Sequence, residues 1–176
     1  MSRTTATEHR PLPVAPRPFE AEVLGGWIGR LSSGYKMSVL EFAAAHELEL
    51  RLPESRAWLL MQMLPARSIA VLAQLTRISC KRIKGIAVPT TVAHTRTHFR
   101  YCPRCAFVNP LDVTAPIWRR EWLDPAVVAC PTHASAFSTL SPRTAMACEN
   151  LDQLLKLVSR HEQLRNRHNS RASGFR

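Results

Sequence analysis

Two short segments, Tyr-Cys-Pro-Arg-Cys at residues 101–105 and Cys-Pro-Thr-His at residues 130–133, decide the fold of this 176-residue chain. A C-x2-C turn and a C-x2-H turn each hold two soft ligands side by side, and two such turns complete a tetrahedral shell around one zinc ion. We therefore predict one zinc ion bound by Cys102, Cys105, Cys130 and His133. Because four protein ligands leave no position for water, the ion is expected to be structural rather than catalytic.

Other interpretations of these cysteines are less consistent with the spacing. A C-P-x-C segment is also typical of dithiol redox proteins, but such a segment needs no matching turn downstream. A zinc deaminase needs H-x-E ahead of P-C-x-x-C, whereas the His-Glu pairs at 46–47 and 161–162 are adjacent and Pro103 lies between the cysteines. Unpaired core cysteines are the remaining alternative. Cys80 and Cys148 lie outside the pattern, and no disulfide between them is expected.

The net charge of +11 is concentrated in one block of the chain. Residues 55–111 contain no Asp or Glu but nine basic residues. The nine are Arg56, Arg67, Arg77, Lys81, Arg82, Lys84, Arg96, Arg100 and Arg104. A block of one sign indicates a polyanionic partner, most often nucleic acid, although basic residues also serve solubility alone. Residues 20–54 carry the opposite bias, with six acidic residues, and this predicts a separate surface that faces protein.

Apolar periodicity predicts a series of short helices. They are expected at about 20–32, 39–50, 54–64 and 69–76, then from residue 80, with a terminal helix from 151. In the first of these, Trp27, Ile28 and Leu31 share one apolar stripe. Ser38 and Glu41 form an S-x-x-E capping box at the start of the second. The chain therefore favours a mainly helical protein.

Residues 68–87 are typical of a helix-turn-helix motif. Ser68 and Ser79 are placed to cap two helices that are joined by three residues. The second helix then projects basic side chains toward a groove or a phosphate backbone. These side chains belong to Lys81, Arg82 and Lys84. Arg77 stands in the turn, where glycine is more usual, and plain packing of short helices is the alternative.

The remaining segments connect these units. Residues 1–19 contain four prolines and should be extended and mobile unless a partner or the domain surface holds them. The threonine-rich connector with His94 and His98 should be extended, with both histidines facing solvent. Residues 117–128 predict a hairpin between the two metal-binding turns. After the capping residue Asn150, the terminal helix continues as a basic tail that orders on contact with a polyanion or a partner.

The chain resembles the TniQ family, the target-selection proteins of transposons that work with an AAA+ ATPase. The resemblance rests on an aromatic residue before C-P-R-C, on W-R-R-E-W at residues 118–122 and on the C-P-T-H turn. It also rests on P-F-E-A-E at residues 18–22, which leads into W-I-G-R-L at residues 27–31. Gly26 stands where the family usually has serine. The resemblance covers roughly residues 18–140 and implies a short form with one zinc module.

This resemblance implies a non-catalytic adaptor that recognises target DNA, or a guide-RNA effector complex or other RNA, and recruits the AAA+ ATPase that regulates the transposase. The residues expected to bind the protein partner are Pro18, Glu22 and Arg30. Those expected to bind nucleic acid are Arg77, Lys81, Arg82, Lys84, Arg96, Arg100, Arg119 and Arg120. The alternative is a transcription regulator built from a helix-turn-helix and a zinc ribbon. Since the sequence has no P-loop, nucleophile elbow or paired-carboxylate metal site, we expect no catalysis.

The predicted fold class is a mainly α protein with a small zinc-bound β element. Four units are expected along the chain. They are an extended proline-rich arm at 1–19, a helical helix-turn-helix domain at 20–90, a zinc-finger module at 91–145, and a C-terminal helix with a basic tail at 146–176. The sequence has no apolar run of roughly 18 residues, so we expect a soluble cytoplasmic protein without a membrane partner. The resemblance implies a prokaryotic, nucleoid-associated one and leaves the oligomeric state open.

Overall fold

The computed structural model describes residues 9–52, 58–88, 99–107 and 117–173. In these ranges the chain forms seven helices and one small two-stranded sheet, as the predicted fold class requires. The helices are α1 (Leu24–Gly34), α2 (Val39–Ala45), α3 (Ala66–Thr76), α4 (Cys80–Gly85), α5 (Pro103–Phe107), α6 (Pro142–Met146) and α7 (Leu151–Ser173). Two single 3₁₀ turns lie at Trp58–Leu60 and Arg120–Trp122. The strands are β1 (Phe99–Tyr101) and β2 (Ser138–Leu140).

Helix α1 is the centre of the molecule. Every residue from Leu24 to Ser32 is buried, so this helix is enclosed on all sides rather than on one face. The predicted stripe of Trp27, Ile28 and Leu31 is confirmed, and each of these side chains has 0 % exposure. Helix α1 packs against α2, α7 and the 3₁₀ turn at Trp58–Leu60. The elements on either side of it in sequence are therefore held together through its buried surface.

Glycines allow this close packing around α1. A Cβ atom on Gly25 would lie 1.9 Å from the backbone oxygen of Trp58, and one on Gly29 would lie 2.6 Å from the Trp58 ring. A Cβ atom on Gly26 would lie 3.1 Å from the Cβ of Trp118. The Gly25-Gly26 pair weakens α1 as an isolated helix, but it lets two tryptophan-bearing segments approach the helix backbone directly.

Helices α1 and α2 are shorter than the periodicity predicts. Helix α1 begins at Leu24 because Glu22 forms an antiparallel bridge with Arg119, which holds the preceding backbone extended. Helix α2 ends at Ala45 instead of continuing to residue 50, because the backbone turns into the left-handed region at Glu47, with φ 52°. At its other end the predicted capping box is confirmed, with Glu41 N donating to Ser38 Oγ at 3.0 Å.

Helices α3 and α4 are joined by three residues, as the predicted helix-turn-helix motif requires. The turn places Arg77 at φ 56°, a left-handed conformation that glycine adopts more easily. Ser79 caps α4 as predicted. Ser68 does not cap α3, which begins two residues earlier at Ala66, and its buried hydroxyl accepts a hydrogen bond from Glu49 N at 2.9 Å.

The helix expected at 54–64 is reduced, in the part that the structure describes, to the 3₁₀ turn at Trp58–Leu60. Residues 53–57 lie outside the description. All three residues of the turn are buried. Trp58 Nε1 donates to the Cys148 carbonyl at 2.7 Å, so this turn also fixes the backbone just before α7.

The sheet forms outside the segment expected to supply a hairpin. Strands β1 and β2 pair antiparallel, with Tyr101 opposite Ser138, and they come from either side of the metal-binding turns. Within 117–128 the described backbone forms the 3₁₀ turn at Arg120–Trp122, and no strand pair is present there. The predicted hairpin is therefore wrong, because Trp118 and Trp122 fill the core and the strands form next to the ligands instead.

Helix α7 begins where Asn150 Oδ1 accepts a hydrogen bond from Gln153 N at 3.1 Å, as the predicted cap requires. It packs on α1 and α5, and Tyr101 at the end of β1 donates to its Glu162 at 2.7 Å. One hydrophobic cluster runs across the boundaries predicted at 20–90, 91–145 and 146–176. Among the described residues, none of the helices combines the length and the apolar character that crossing a membrane requires.

The proline-rich arm, described from residue 9, lies on the helical domain. Leu12 N donates to the Leu75 carbonyl at 2.8 Å, and Trp27 Nε1 donates to the Pro16 carbonyl at 2.8 Å. The Tyr35 hydroxyl donates to the Val14 carbonyl at 2.7 Å. Of the two predicted states of this arm, the structure therefore shows the one in which the domain surface holds it.

We expect Gly25→Ala to lower the free energy of unfolding by at least about 2 kcal/mol, because the new methyl group overlaps the Trp58 backbone. Gly34→Ala is the matched control, since nothing lies within 4 Å of its Cβ position at the end of the same helix. The control should be neutral or stabilising by up to about 1 kcal/mol. Urea unfolding measures both changes, and equal stabilities would contradict the packing described here.

Candidate metal centre and basic surface

The four predicted ligands lie at one end of the small sheet, where Tyr101 pairs with Ser138. Cys102 follows β1 directly, and Cys105 lies on the first turn of α5. Cys130 and His133 belong to a tight turn in which Ala134 N donates to the Cys130 carbonyl at 2.8 Å. A bridge between residues 129 and 136 closes this turn. The β1–β2 pairing then brings the two turns face to face.

The ligand atoms have the spacing of a tetrahedral site. The Nδ1 atom of His133 lies 3.6, 3.2 and 3.6 Å from the sulfurs of Cys102, Cys105 and Cys130, in that order. The sulfurs of Cys105 and Cys130 are 3.6 Å apart, and all four ligand atoms lie within 4.8 Å of one another. Zn–S bonds of about 2.3 Å and Zn–N bonds of about 2.0 Å require edges of roughly 3.5–3.8 Å. The four residues can therefore hold a metal ion, and the donor set is compatible with zinc.

The electrostatics of the cluster explain why its thiolates require a cation. Burial raises the pKa of the Cys105 thiol to about 12, and the hydrogen bond and charge of its cysteine neighbours add to this effect. Burial also opposes ionisation of Cys102, but hydrogen bonds from Cys105 N and Ser135 Oγ outweigh it and lower the pKa of that thiol. Several thiolates so close together are stable only when a positive charge lies between them.

Sequence analysis did not identify Ser135 or Tyr101 as supporting residues of the cluster. The Ser135 hydroxyl lies 3.6 Å from Cys102 Sγ, and the Ser135 carbonyl accepts from Cys130 N at 2.9 Å. The buried Tyr101 hydroxyl donates to Glu162 on α7. The position of Ser135, two residues after the last ligand, was the available indication, whereas the contact with Glu162 spans 61 positions and leaves no local pattern.

Residues 99–107 and 117–140, which carry the sheet and the four ligands, are called the metal-binding module here. Arg100 supports this module rather than a nucleic-acid surface. Its guanidinium donates to the carbonyls of Trp122, Asp124 and Val127, and it lies 5.1 Å above the Phe137 ring. These contacts engage all of its nitrogens with the loop between the two turns. The prediction that Arg100 binds nucleic acid is therefore not supported by its placement.

The predicted partner residues Glu22 and Arg30 are inside the molecule. Arg30 donates twice to Glu22, at 2.7 and 3.1 Å, and its side chain is 6 % exposed while that of Glu22 is fully buried. Burial raises the pKa of Glu22, while the hydrogen bonds from Arg30 oppose that shift. Arg30 also donates to the Arg17 carbonyl at 2.9 Å, and Pro18 beside it is buried. These side chains hold the arm and leave no surface for a partner.

The predicted nucleic-acid residues on the helix-turn-helix form an exposed basic surface. They are Arg77 in the turn and Lys81, Arg82 and Lys84 on α4. Arg119 is partly buried and lies 3.6 Å from Glu121, whereas Arg120 reaches across to α4 and donates to the Gly85 carbonyl at 2.5 Å. Arg96, His94 and His98 lie outside the described residues. The structure thus brings Arg120 of the metal-binding module to the side of α4.

The fold and the ligand cluster define a helical protein with a zinc-finger type of metal site. The sequence model of the TniQ family matches residues 13–136, more than half of the chain. The chain therefore belongs to the TniQ family. This membership indicates a transposition target-selection protein, of a family that binds DNA and is generally non-catalytic. No curated protein and no solved structure matches the chain with significance.

We expect the purified protein to contain one zinc ion per chain and Cys102→Ser to lose it, because three remaining ligands no longer close the shell. Loss of the ion should also lower the melting temperature strongly, since a structural zinc supplies on the order of 10 kcal/mol of apparent binding free energy. Elemental analysis and thermal unfolding measure the two effects.

Cys80→Ser is the matched control, because Cys80 is the exposed cysteine outside the cluster. It should keep both the zinc content and the melting temperature. Protein that is freshly purified without any metal, and that melts at the same temperature as Cys102→Ser, would contradict the assignment.

Proposed function

We propose that this protein is a non-catalytic target-selection adaptor, which binds target nucleic acid at one end of α1 and the AAA+ ATPase regulator of a transposase at the other end. Zinc at the Cys3His cluster serves as a structural ion in this proposal. Family membership supports the general role. The distribution of charge at the two ends of α1 is the observation that supports the division of labour.

The N-terminal end of α1 is basic. Leu24 N donates to the Ile86 carbonyl at 2.8 Å, so α4 with its exposed lysines lies beside the start of α1. Arg120 lies there as well, because its backbone N–H donates to the Ala21 carbonyl at 2.7 Å. Glu20 and Asp124 are exposed acids beside Arg120, and Glu121 is partly exposed there. The four exposed cations of the turn and α4, together with Arg120, outnumber these acids, and an excess of positive charge attracts a polyanion.

The C-terminal end of α1 is acidic. Asp152 N donates to Ser33 Oγ at 3.2 Å, and Val39 N donates to the Glu149 carbonyl at 2.8 Å. Three exposed acids lie near this end, namely Glu41, Glu149 and Asp152. The exposed bases nearby are Lys36 and Lys156, which lies one helical turn beyond Asp152 on α7. An 11-residue helix is about 16 Å long, so the two surfaces do not compete for one partner.

This arrangement suits an adaptor that must hold two macromolecules at once. Opposite charge at the two ends keeps nucleic acid away from the protein-binding surface and favours correct orientation during encounter. The acidic end also replaces the buried Glu22 and Arg30 as the proposed contact for the ATPase. The target is DNA in this proposal, or a guide-RNA effector complex that presents RNA to the basic end.

The experiment is a capture assay with the AAA+ ATPase encoded beside this protein, combined with binding to a labelled duplex. The double variant Glu149→Gln and Asp152→Asn should reduce ATPase capture at least about fivefold while leaving duplex affinity unchanged, because it removes two exposed charges from the acidic end alone. Lys84→Gln is the opposite control, since it should weaken duplex binding and leave ATPase capture intact.

Capture of the ATPase that is unaffected by the double variant would reject the acidic end as its contact. Tight binding to one duplex sequence with no ATPase capture at all would reject the adaptor and favour a transcription regulator. The salt dependence of duplex binding shows which residues contact phosphates, because each lost phosphate contact lowers the slope of log affinity against log salt by about one.

A further inference from the structure

A cavity lies at the junction between α4 and the metal-binding module. Its volume is about 570 Å³, and residues from three separate parts of the chain line it. They are Glu20, Ser79, Lys81, Arg82, Gly85, Ile86 and Arg120. The lining therefore combines three cations with one carboxylate.

We propose that this cavity binds one phosphodiester group of a nucleic-acid backbone, clamped between Lys81 of α4 and Arg120 of the metal-binding module. The proposal deepens the proposed function and depends on the basic end of α1 being the nucleic-acid surface. It adds that the two halves of the protein bind nucleic acid as one site, with neither half sufficient alone.

Arg120 is held in place for this role. Its Nη2 donates to the Gly85 carbonyl, and its backbone N–H donates to the Ala21 carbonyl, so both ends of the residue are fixed. The Nε atom is buried without a hydrogen-bond partner among the described residues, so the guanidinium is incompletely satisfied by the protein. A guanidinium positioned in advance binds a phosphate without the entropy loss that a mobile side chain suffers.

The other side of the cavity supplies the complementary groups. Ser79 Oγ accepts the capping hydrogen bond from Arg82 N at 3.3 Å, which leaves its hydroxyl proton to donate to a phosphate oxygen. Lys81 is exposed at the rim, where it adds a cation without a fixed direction. Ile86 lines the cavity but is only 3 % exposed, so little of its apolar surface reaches a ligand. The charged and hydroxyl groups of the lining are therefore the ones that recognise a phosphate.

The backbone keeps the two sides at a constant separation. Leu24 N donates to the Ile86 carbonyl at 2.8 Å, and Val23 N donates to the Trp118 carbonyl at 3.1 Å. The segment before α1 thus joins α4 on one side to the metal-binding module on the other. Because these hydrogen bonds hold α4 and the metal-binding module together, cations from distant parts of the sequence lie around one cavity.

The test is a double-mutant cycle on the full-length zinc-loaded protein, with fluorescence anisotropy of a labelled 20-base-pair DNA duplex as the readout. Lys81→Gln and Arg120→Gln should each weaken binding roughly tenfold, the loss expected for one charge-assisted hydrogen bond. If both residues hold the same phosphate, the double variant should lose roughly 20- to 30-fold rather than the hundredfold of independent contacts. Arg82 is left unchanged because it also donates to the Pro18 carbonyl.

Lys84→Gln is the matched control, because Lys84 is exposed on the same helix and does not line the cavity. In a double variant, the fold-losses of affinity caused by Lys84→Gln and by Arg120→Gln should multiply, which means that the two residues are not coupled. Arg120→Lys retains the charge and should recover most of the lost affinity, provided that zinc content shows each variant to be folded. A single-stranded RNA of the same length distinguishes the source of the phosphate, since the cycle should show coupling with the nucleic acid that is the natural ligand.

Cys80 gives an independent readout, because it is exposed between Ser79 and Lys81. Bound oligonucleotide should slow its alkylation by iodoacetamide at least about tenfold, and the slowing should be lost in the double variant. If the wild type binds neither nucleic acid, the proposed function itself fails. If it binds with additive losses at Lys81 and Arg120 and unprotected Cys80, the clamp is overturned while the proposed function stands.

Discussion

The convergence of three cysteine thiols and one imidazole on a single point is the constraint on which the rest of the structure depends. The two turns that supply the ligands are far apart in sequence, and the sheet that aligns them has only three residues in each strand. Such a sheet is too short to be stable by its own hydrogen bonds. The cluster can hold a cation, and a shared cation would supply the missing cohesion and remove the repulsion among the buried thiolates.

The metal-binding module in turn fixes the start of α1. The rings of Trp118 and Trp122 pack edge to face in its interior, with their centroids 5.2 Å apart. The Trp118 carbonyl accepts a hydrogen bond from the backbone N–H of Val23, the residue just before α1. Gly26 allows this contact, which explains why a residue unfavourable for a helix occupies that position. The departure from the serine usual in the family is therefore compatible with tight packing against Trp118.

The sequence predicted those features that depend on local spacing. The four metal ligands, the Ser38–Glu41 capping box and the Ser79 cap are each encoded within a few residues, and all are present in the structure. The hairpin was predicted wrongly because tryptophans at 118 and 122 fit a strand pattern as well as a buried turn. Strand propensity reports on packing against neighbours, and here the neighbours come from distant parts of the chain.

The roles of the charged residues were harder to predict for the same reason. Glu22, Arg30 and Arg100 are polar in any sequence-based scale, yet each is engaged by partners that only the fold brings near. A charge is buried only when it is paired, and the pairing partner lies 8 positions away for Glu22 and Arg30. Conversely, the sequence shows the basic block, but the division of its described residues into structural and surface ones required the three-dimensional arrangement.

Hydrogen exchange measured by mass spectrometry, with zinc bound and after chelation, shows whether the metal site holds this half of the fold together. Removal of the metal should abolish protection at the amides of Cys130 and Ala134, which donate within the second turn, and along β1 and β2. Helix α3, which packs chiefly on α4, should keep its protection. Equal protection of residues 129–140 in both states would contradict the view that the cluster holds this half of the fold together.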